Sequence, residues 1–292
     1  MPKDEKKPRW STERRLEFIE FRLYWEGRIN RSDLVSFFGI SVPQASSDLS
    51  HYQESAPGNI EYDKTAKTYA ATSKFKPIFF NPTADRYLAE LRLLGAAVLS
   101  AEEAWVGRPP QHSIVPRLRR RLDAKTLRSI LDAIRTRSSV EVNYQSFTRS
   151  EPAWRRLAPH AIAYDGHRWH VRAWCHERTE FRDFVVGRML GVRSPKPDDS
   201  DPRNDKGWQR EVTLRVGPHP KLADGTRRAT ELDYGMENGV VEVTMRSCLV
   251  PYFQRFVGLD KEAEKVKPKE QHIVLLNRRE VEAVLRETGV MT

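Results

Sequence analysis

The stretch from Ile29 to Gln53, INRSDLVSFFGISVPQASSDLSHYQ, leaves the chain little freedom. Ser32 reads as a cap before Leu34, Val35 and Phe38, which share one helical face, so a short amphipathic helix is expected. Gly39 permits a sharp turn, Ile40 supplies an apolar plug, and Pro43 suits the first turn of a second helix whose Ala45, Leu49 and Tyr52 point inward. The pattern is helix, tight turn, helix. Upstream, TERRLEFIEFRLYW from residue 12 sets Leu16, Phe18, Ile19 and Leu23 at helical spacing behind a Thr12 cap. Downstream, GNIEYDKTAKTYAAT alternates Ile60, Tyr62 and Tyr69 around a polar DKTAK turn, as a two-stranded wing would.

Residues 1–80 are therefore expected to form a winged helix-turn-helix that binds double-stranded DNA. Gln44, Ser46, Ser47, Ser50 and His51 fall on the outer face of its second helix, where short polar side chains reach base edges. Lys64 and Lys67 on the wing tip would meet phosphate. A helical hairpin used for protein contact is the blander alternative. These 80 residues hold 13 Lys and Arg against 11 Asp and Glu, too little net charge for tight phosphate binding by one copy, so a homodimer on an inverted repeat is expected.

The basic excess lies further on. Between Arg108 and Arg193 stand 18 Lys and Arg, all but Lys125 arginine, against 8 Asp and Glu, while residues 194–292 balance at 17 each. The planar guanidinium favours bidentate anion contacts. Leu88, Leu91, Leu94, Ala97 and Val98 predict a helix over 83–104, within an 81–120 helical linker and dimerisation segment that the prolines of GRPPQHSIVPR interrupt. After a helix in LDAKTLRSILDAIRTRS, strands are expected in SVEVNYQSF, RRLAPHAIAYDG, HRWHVRAWCHE and FRDFVVGRM, giving a domain over 121–195. The composition of 196–206 is that of a linker, and 207–292 reads as alternating strands and helices. No run of 18 apolar residues could span a membrane, and MPKDEKKPRW lacks the apolar stretch of an export signal, so a cytoplasmic protein is expected.

In a strand, parity sorts side chains. Along WHVRAWCH, Trp169, Val171, Ala173 and Cys175 form the expected core face, and His170, Arg172, Trp174 and His176 the other. Arg182, Phe184, Val186 and Arg188 group on the next strand, and Val142, Tyr144 and Ser146 on the first. Tyr144 and Ser146 in YQS, Arg156 and Pro159 in RRLAP, Trp169-His170-Val171 in place of Trp-Tyr-Leu, and Arg182, Phe184 and Arg188 in RDFVVGR together resemble the WYL domain of bacterial transcription regulators. With the segments on either side, the likeness covers nearly the whole chain.

The resemblance implies an α+β protein: a winged helix-turn-helix, an Sm-like small β-barrel and a ferredoxin-like C-terminal WCX domain. It is nearest to the homodimeric repressors encoded beside phage-defence systems such as BREX and CBASS. It also implies a nucleotide or oligonucleotide effector. Tyr144, Ser146, Arg156, His160, His170, Arg172, Arg182 and Arg188 are expected to line one concave, positive patch, with Arg182 and Arg188 on phosphate, Tyr144 and His170 on a base and Ser146 orienting it. His170 stands where the family has Tyr, adding a group that titrates near neutrality. Its plainer role is a pairing with Asp183 or a backbone carbonyl.

Five of the eight histidines lie between His112 and His176, yet His167 and His170 fall on opposite strand faces, and Cys175 and Cys248 have no framework of partners. Neither a metal site nor a disulfide is expected. G-x-S-x-G, H-E-x-x-H and a phosphate-binding Gly-rich loop are all absent, and Ser146 with His160 lacks an orienting third group, so neither catalysis nor a cofactor is expected. The rival reading is an RNA- or single-strand-binding protein that stacks bases on Trp174, Phe184 or His170 and holds phosphates with Arg172 and Arg188.

Overall fold

The computed structural model describes residues 9–116, 118 and 121–291. The first eight residues, and Arg117, Arg119 and Arg120 of the basic tract, lie outside them. Contacts divide the chain between residues 118 and 119 into two compact units.

The first unit runs α1 (Arg9–Glu26), β1 (Arg28–Ile29), α2 (Arg31–Phe38), α3 (Val42–Ser55), β2 (Ile60–Asp63), β3 (Thr68–Ala71) and α4 (Ala84–Gly95). Its sheet has the antiparallel order β1-β3-β2. Leu16, Phe18, Ile19, Leu34, Leu49 and Tyr52 are buried together, as their spacing predicts. The helix starts differ from expectation. Thr12 lies inside α1, and Asn30 rather than Ser32 caps α2, because Asp33 three residues on accepts from the Asn30 N–H at 2.7 Å. Gly39 ends α2 at φ 62° with its N–H on Val35 O, and the Ser41 hydroxyl accepts from Gln44 N–H to start α3.

The helix expected over 83–104 begins at its Thr83 cap but ends at Gly95. Leu91 is buried, whereas Leu88 and Val98 are exposed. The chain turns back so that Trp105 enters the core edge-on to Phe18 and Phe21, with the Trp105 and Val106 amides donating to the Glu90 carboxylate. Burying a tryptophan with its amide satisfied outweighs two further turns of exposed helix.

The second unit runs α5 (Ala124–Thr136), β4 (Ser138–Tyr144), β5 (Ala153–Tyr164), β6 (Trp169–Cys175), β7 (Glu180–Val185), β8 (Met189–Pro197), α6 (Lys206–Gln209), β9 (Glu211–Pro218), α7 (Asp224–Asp233), β10 (Val241–Arg246), α8 (Val250–Phe256), β11 (Ile273–Leu275) and α9 (Arg278–Glu287). One antiparallel sheet has the order β7-β6-β5-β4-β8, and a three-stranded one the order β10-β9-β11. Ile130 of α5 packs on Val140, Val142, Leu157, Val171, Ala173 and Phe184. Val281 and Leu285 of α9 pack on Val212, Leu214 and Leu275.

Strand β8 has no apolar alternation to announce it, and its prolines at 195 and 197 are tolerated because it is an edge. The segment 196–206, whose composition is that of a linker, thus begins inside a strand, and it contains Asp205, which is 1% exposed. Trp169, expected in the core, is half exposed at the end of β6 against the Tyr164 ring. Both cysteines are buried thiols, and burial pushes Cys248 up to about 12. Among the described residues no helix is long and apolar enough to cross a membrane.

Candidate functional site

Helix α3 leaves Ser47, Ser50 and His51 exposed, with Gln44 and Ser46 half-buried at its first turns. The Ser46 hydroxyl donates back to Val42 O at 3.1 Å, so it is partly satisfied by its own helix. Gln44 Nε2 donates to Asp48 Oδ1 at 3.0 Å. Asp48 itself is buried and gripped by Arg15 of α1, Nε to Oδ2 at 2.6 Å and Nη2 to Oδ1 at 2.9 Å. In the wing, Asp63 Oδ1 accepts from the Thr65 and Ala66 amides, closing the turn on which Lys64 and Lys67 stand exposed. The arrangement is a polar ridge beside a basic tip, and it suits groove edges and phosphate.

In the second unit, the eight expected effector residues do not converge. Cross-strand partners share a face: Arg172 lies opposite Asp183, and Ala173 opposite Arg182. Arg182 therefore sits on the other side of the sheet from Arg172. His160, His170 and Arg172 form one group, and carboxylates saturate it. Arg172 donates to Asp205 at 2.7 and 2.8 Å and to Asp183 at 3.3 Å, and His160 Nε2 pairs with Asp205 at 2.9 Å. Tyr252 of α8 donates to Asp183 at 3.0 Å. Burial alone would push the Asp205 carboxyl up, but bonds from Arg172, His160 and the Trp208 amide lower it to about 2. Burial disfavours the Arg172 charge as well, and the two aspartates more than restore it.

His170 is buried against the Tyr252 ring at 4.8 Å, and its Nε2 lies 2.7 Å from Asp165 Oδ2. Its partner is thus Asp165, five residues earlier, and not Asp183 or a carbonyl. Burial would raise Asp165, yet His170, the His167 and Arg168 amides and the Arg168 guanidinium hold it well below the usual carboxylate range. Beside Arg172 a cavity of about 750 Å³ is walled by Trp174 and Phe181, and by Asp198, Asp199, Asp201 and Asp205. The concave surface here carries carboxylates, not the expected positive charge, because the segment after β8 folds over it.

Tyr144, Ser146 and Arg188 meet at the C-terminal end of β4, whereas Arg182 stands apart on β7 opposite Ala173. Tyr144 is buried edge-on to Phe184, with its hydroxyl oxygen accepting from Val185 N–H at 3.2 Å, so its ring is core and not a stacking platform. The Arg188 guanidinium lies 3.6 Å over the ring of Phe147, which is exposed, and the Gln145 amide donates to Arg188 O. Ser146 shares a hydrogen bond with Thr148, and exposed Arg182 pairs with Glu180 at 2.8 Å. Buried Arg155 lies 5.9 Å from the Tyr144 ring. Arg156 stands apart on the opposite face, bonded to Glu141 and Ser194 O. Of the residues offered by the single-strand reading, Phe184, His170 and Arg172 are buried, while Trp174 and Arg188 are half-buried.

Sequence reasoning missed Asp48, Asp205, Tyr252 and Phe147, and it offered Asp183 to His170 where its partners are Arg172 and Tyr252. Asp48 carried a signal, a charge on the inward face of an amphipathic helix. Asp205 carried none, since its run of prolines and aspartates resembles any solvated loop.

Residues 11–93 match the BrxR transcriptional regulator winged helix-turn-helix domain, 125–194 the WYL domain, and 211–281 the BrxR transcriptional regulator C-terminal dimerization domain. The DNA-binding transcriptional repressor CapW of Stenotrophomonas maltophilia is 44% identical over 284 residues, 96% of this chain and 94% of that one. CapW of Pseudomonas aeruginosa is 40% identical over 278 residues, 95% and 93% of the two chains. That of Escherichia coli strain KTE188 is 38% identical over 279 residues, 96% and 93%. Among solved structures, proteasome accessory factor B/C of Arthrobacter aurescens aligns at 16% identity and a TM-score of 0.26, over 98% of this chain and half of that one, too loosely to bear on the fold. The WYL resemblance and the winged helix before it are borne out by these matches.

Proposed function

We propose, for a chain that belongs to the family of the DNA-binding transcriptional repressors CapW, that it represses transcription as a homodimer on an inverted repeat and is released or retained by an anionic effector. One observation carries the reading: the outer row of α3, with Ser47, Ser50 and His51 exposed and Gln44 beside them, stands next to a wing tipped by Lys64 and Lys67. One such helix reads only a few base pairs, so selection within a genome calls for two half-sites and hence two copies. A phage-defence operon as the target, and a cytoplasmic location, rest on the resemblance to repressors of such systems.

The effector surface is the end of β4 where Arg188 stacks on Phe147 next to Ser146, with Arg182 exposed further along β7. Arg188 has no carboxylate partner among the described residues, so its charge is available to a phosphate. His160, His170 and Arg172 instead tie the sheet to the C-terminal region. An effector acts on DNA affinity only if it binds one arrangement of the two winged helices better than the other. The test is fluorescence anisotropy with the upstream region of the chain's own operon. Specific duplex binding by a dimer is expected, and the Lys64→Ala, Lys67→Ala variant should lower the salt slope by about 2. Equal affinity for that region and for random duplex would sink the repressor reading. Undiminished response to oligonucleotides in Arg182→Ala, Arg188→Ala would sink the effector surface.

A further inference from the structure

Behind the recognition helix lies a buried charged pair, Arg15 and Asp48, whose carboxylate also holds Gln44. Arg15 and Asp48 are 5% and 2% exposed, and they form a two-bond fork between α1 and α3. Asp48 sits among Ala45, Leu49 and Tyr52 on the inward face, where an apolar residue would pack without the expense of desolvating an ion pair. Its Oδ1 also accepts from Gln44 Nε2, one helical turn earlier at 3.0 Å. We infer that Arg15 and Asp48 are positioning residues that lock the Gln44 amide in one orientation and so set a preference for adenine at one base pair of each half-site.

The inference rests on the reading of α3 as the recognition helix. A side-chain amide can face a neighbour with either its oxygen or its nitrogen. A carboxylate has no hydrogen to give, so only the NH2 group of Gln44 can face Asp48. The fork from Arg15 keeps the carboxylate from turning with it. What remains outward is Oε1 and the second N–H, an acceptor beside a donor in a fixed order. That pair complements the N6–H and N7 of adenine in the major groove, whereas guanine shows two acceptors there. Gln44 lies in the first turn of α3, its own N–H held by Ser41 Oγ at 3.3 Å, and base contacts in this motif come from the start of the recognition helix. Its rotamer freedom is given up on folding and not on binding DNA, which favours the complex.

The experiment measures affinity for the operator and for duplexes in which each adenine of a half-site is replaced in turn by 7-deazaadenine, which lacks the N7 acceptor. The wild-type protein should lose about 10-fold or more at one symmetry-related position, the range of a good bidentate contact. Gln44→Ala should show no such loss at that position. Arg15→Leu, Asp48→Leu removes both charges together, leaves no orphan, and should also lose the adenine preference while keeping the wild-type salt slope. If that double variant does not fold, the deaza scan on wild type and Gln44→Ala decides alone, since Gln44 is at the surface. Specific duplex binding with no position that depends on both N7 and Gln44 would overturn this inference and leave the repressor reading standing. A folded double variant with full adenine preference would overturn the positioning role. Failure of wild type to prefer any duplex would instead overturn the repressor reading.

Discussion

The Asp205 carboxylate accepts from Arg172, His160 and the Trp208 amide, and Asp183 accepts from Arg172 and Tyr252, so two aspartates and one arginine join the five-stranded sheet to α6 and α8. The cost of removing one member follows from what it leaves behind. Arg172→Ala takes the arginine from the buried Asp205 and the part-buried Asp183 and is expected to destabilise the second unit by about 3–5 kcal/mol, read from urea unfolding. Arg172→Met with Asp205→Leu removes the buried pair together, leaves Asp183 with its Tyr252 bond, and should cost less than that. The same site predicts an acid limit. Asp205 has its folded-state value depressed from 3.8 to about 2, so its contribution is whole above pH 4 and fades as the pH falls towards 2. Acid titration followed by tryptophan fluorescence should show wild-type unfolding in that window, and the double variant should lack this step.

At the scale of elements, the first unit is organised by what ends each helix. Gly39 adopts φ 62°, and a Cβ there would meet nothing within 4 Å, so Gly39→Ala tests backbone strain alone. A loss of about 1–2 kcal/mol in thermal or urea unfolding is expected. Glu20 of α1 is fully buried, and its carboxylate accepts from the Ile78, Phe79 and Phe80 amides at 2.6–2.9 Å and from the Tyr52 hydroxyl at 3.0 Å. One side chain thus ties α3, through Tyr52, to the strap that leads into α4. Glu20→Ala leaves those donors unpaired and is expected to cost about 2–4 kcal/mol. Hydrogen exchange should show the amides of 78–80 opening first. Protection there unchanged from wild type would mean that the strap is held by packing of Phe79 and Phe80 instead.

For the molecule as a whole, the dimer is the quantity to measure, because on the proposed reading each chain supplies one recognition helix. Two helices related by a two-fold axis meet the same face of the duplex only when the half-sites are spaced by whole turns. Inserting about 5 base pairs between half-sites should therefore reduce affinity at least 10-fold, and inserting about 10 should recover part of it. An affinity that ignores the spacing would mean that the copies bind independently. Sedimentation at micromolar concentration should find a dimer, and loss of the dimer on disrupting 211–281 would place its contact where the family match lies.

Elements with local signals are legible in the amino-acid order. The α2–turn–α3 unit follows from apolar spacing, one glycine and one proline. Strand parity likewise puts Val171, Ala173 and Cys175 in the core and sends His170 and Arg172 to the other face. The WYL motifs identified the family because their order survives along the chain. Tertiary structure alone decided what covers that other face. Parity says that Arg172 and Arg182 leave their strands, but the register of β6 against β7 sets them on opposite sides, and only folding brings Asp205 back over Arg172 from 33 residues away. A partner so far along the chain leaves no periodic trace in composition or pattern. The same holds for Arg15 and Asp48, and for the helix after Gly95, which stops because Trp105 finds a place in the core. Local spacing records which residues leave an element, and burial of charge and ring against distant partners decides what they become.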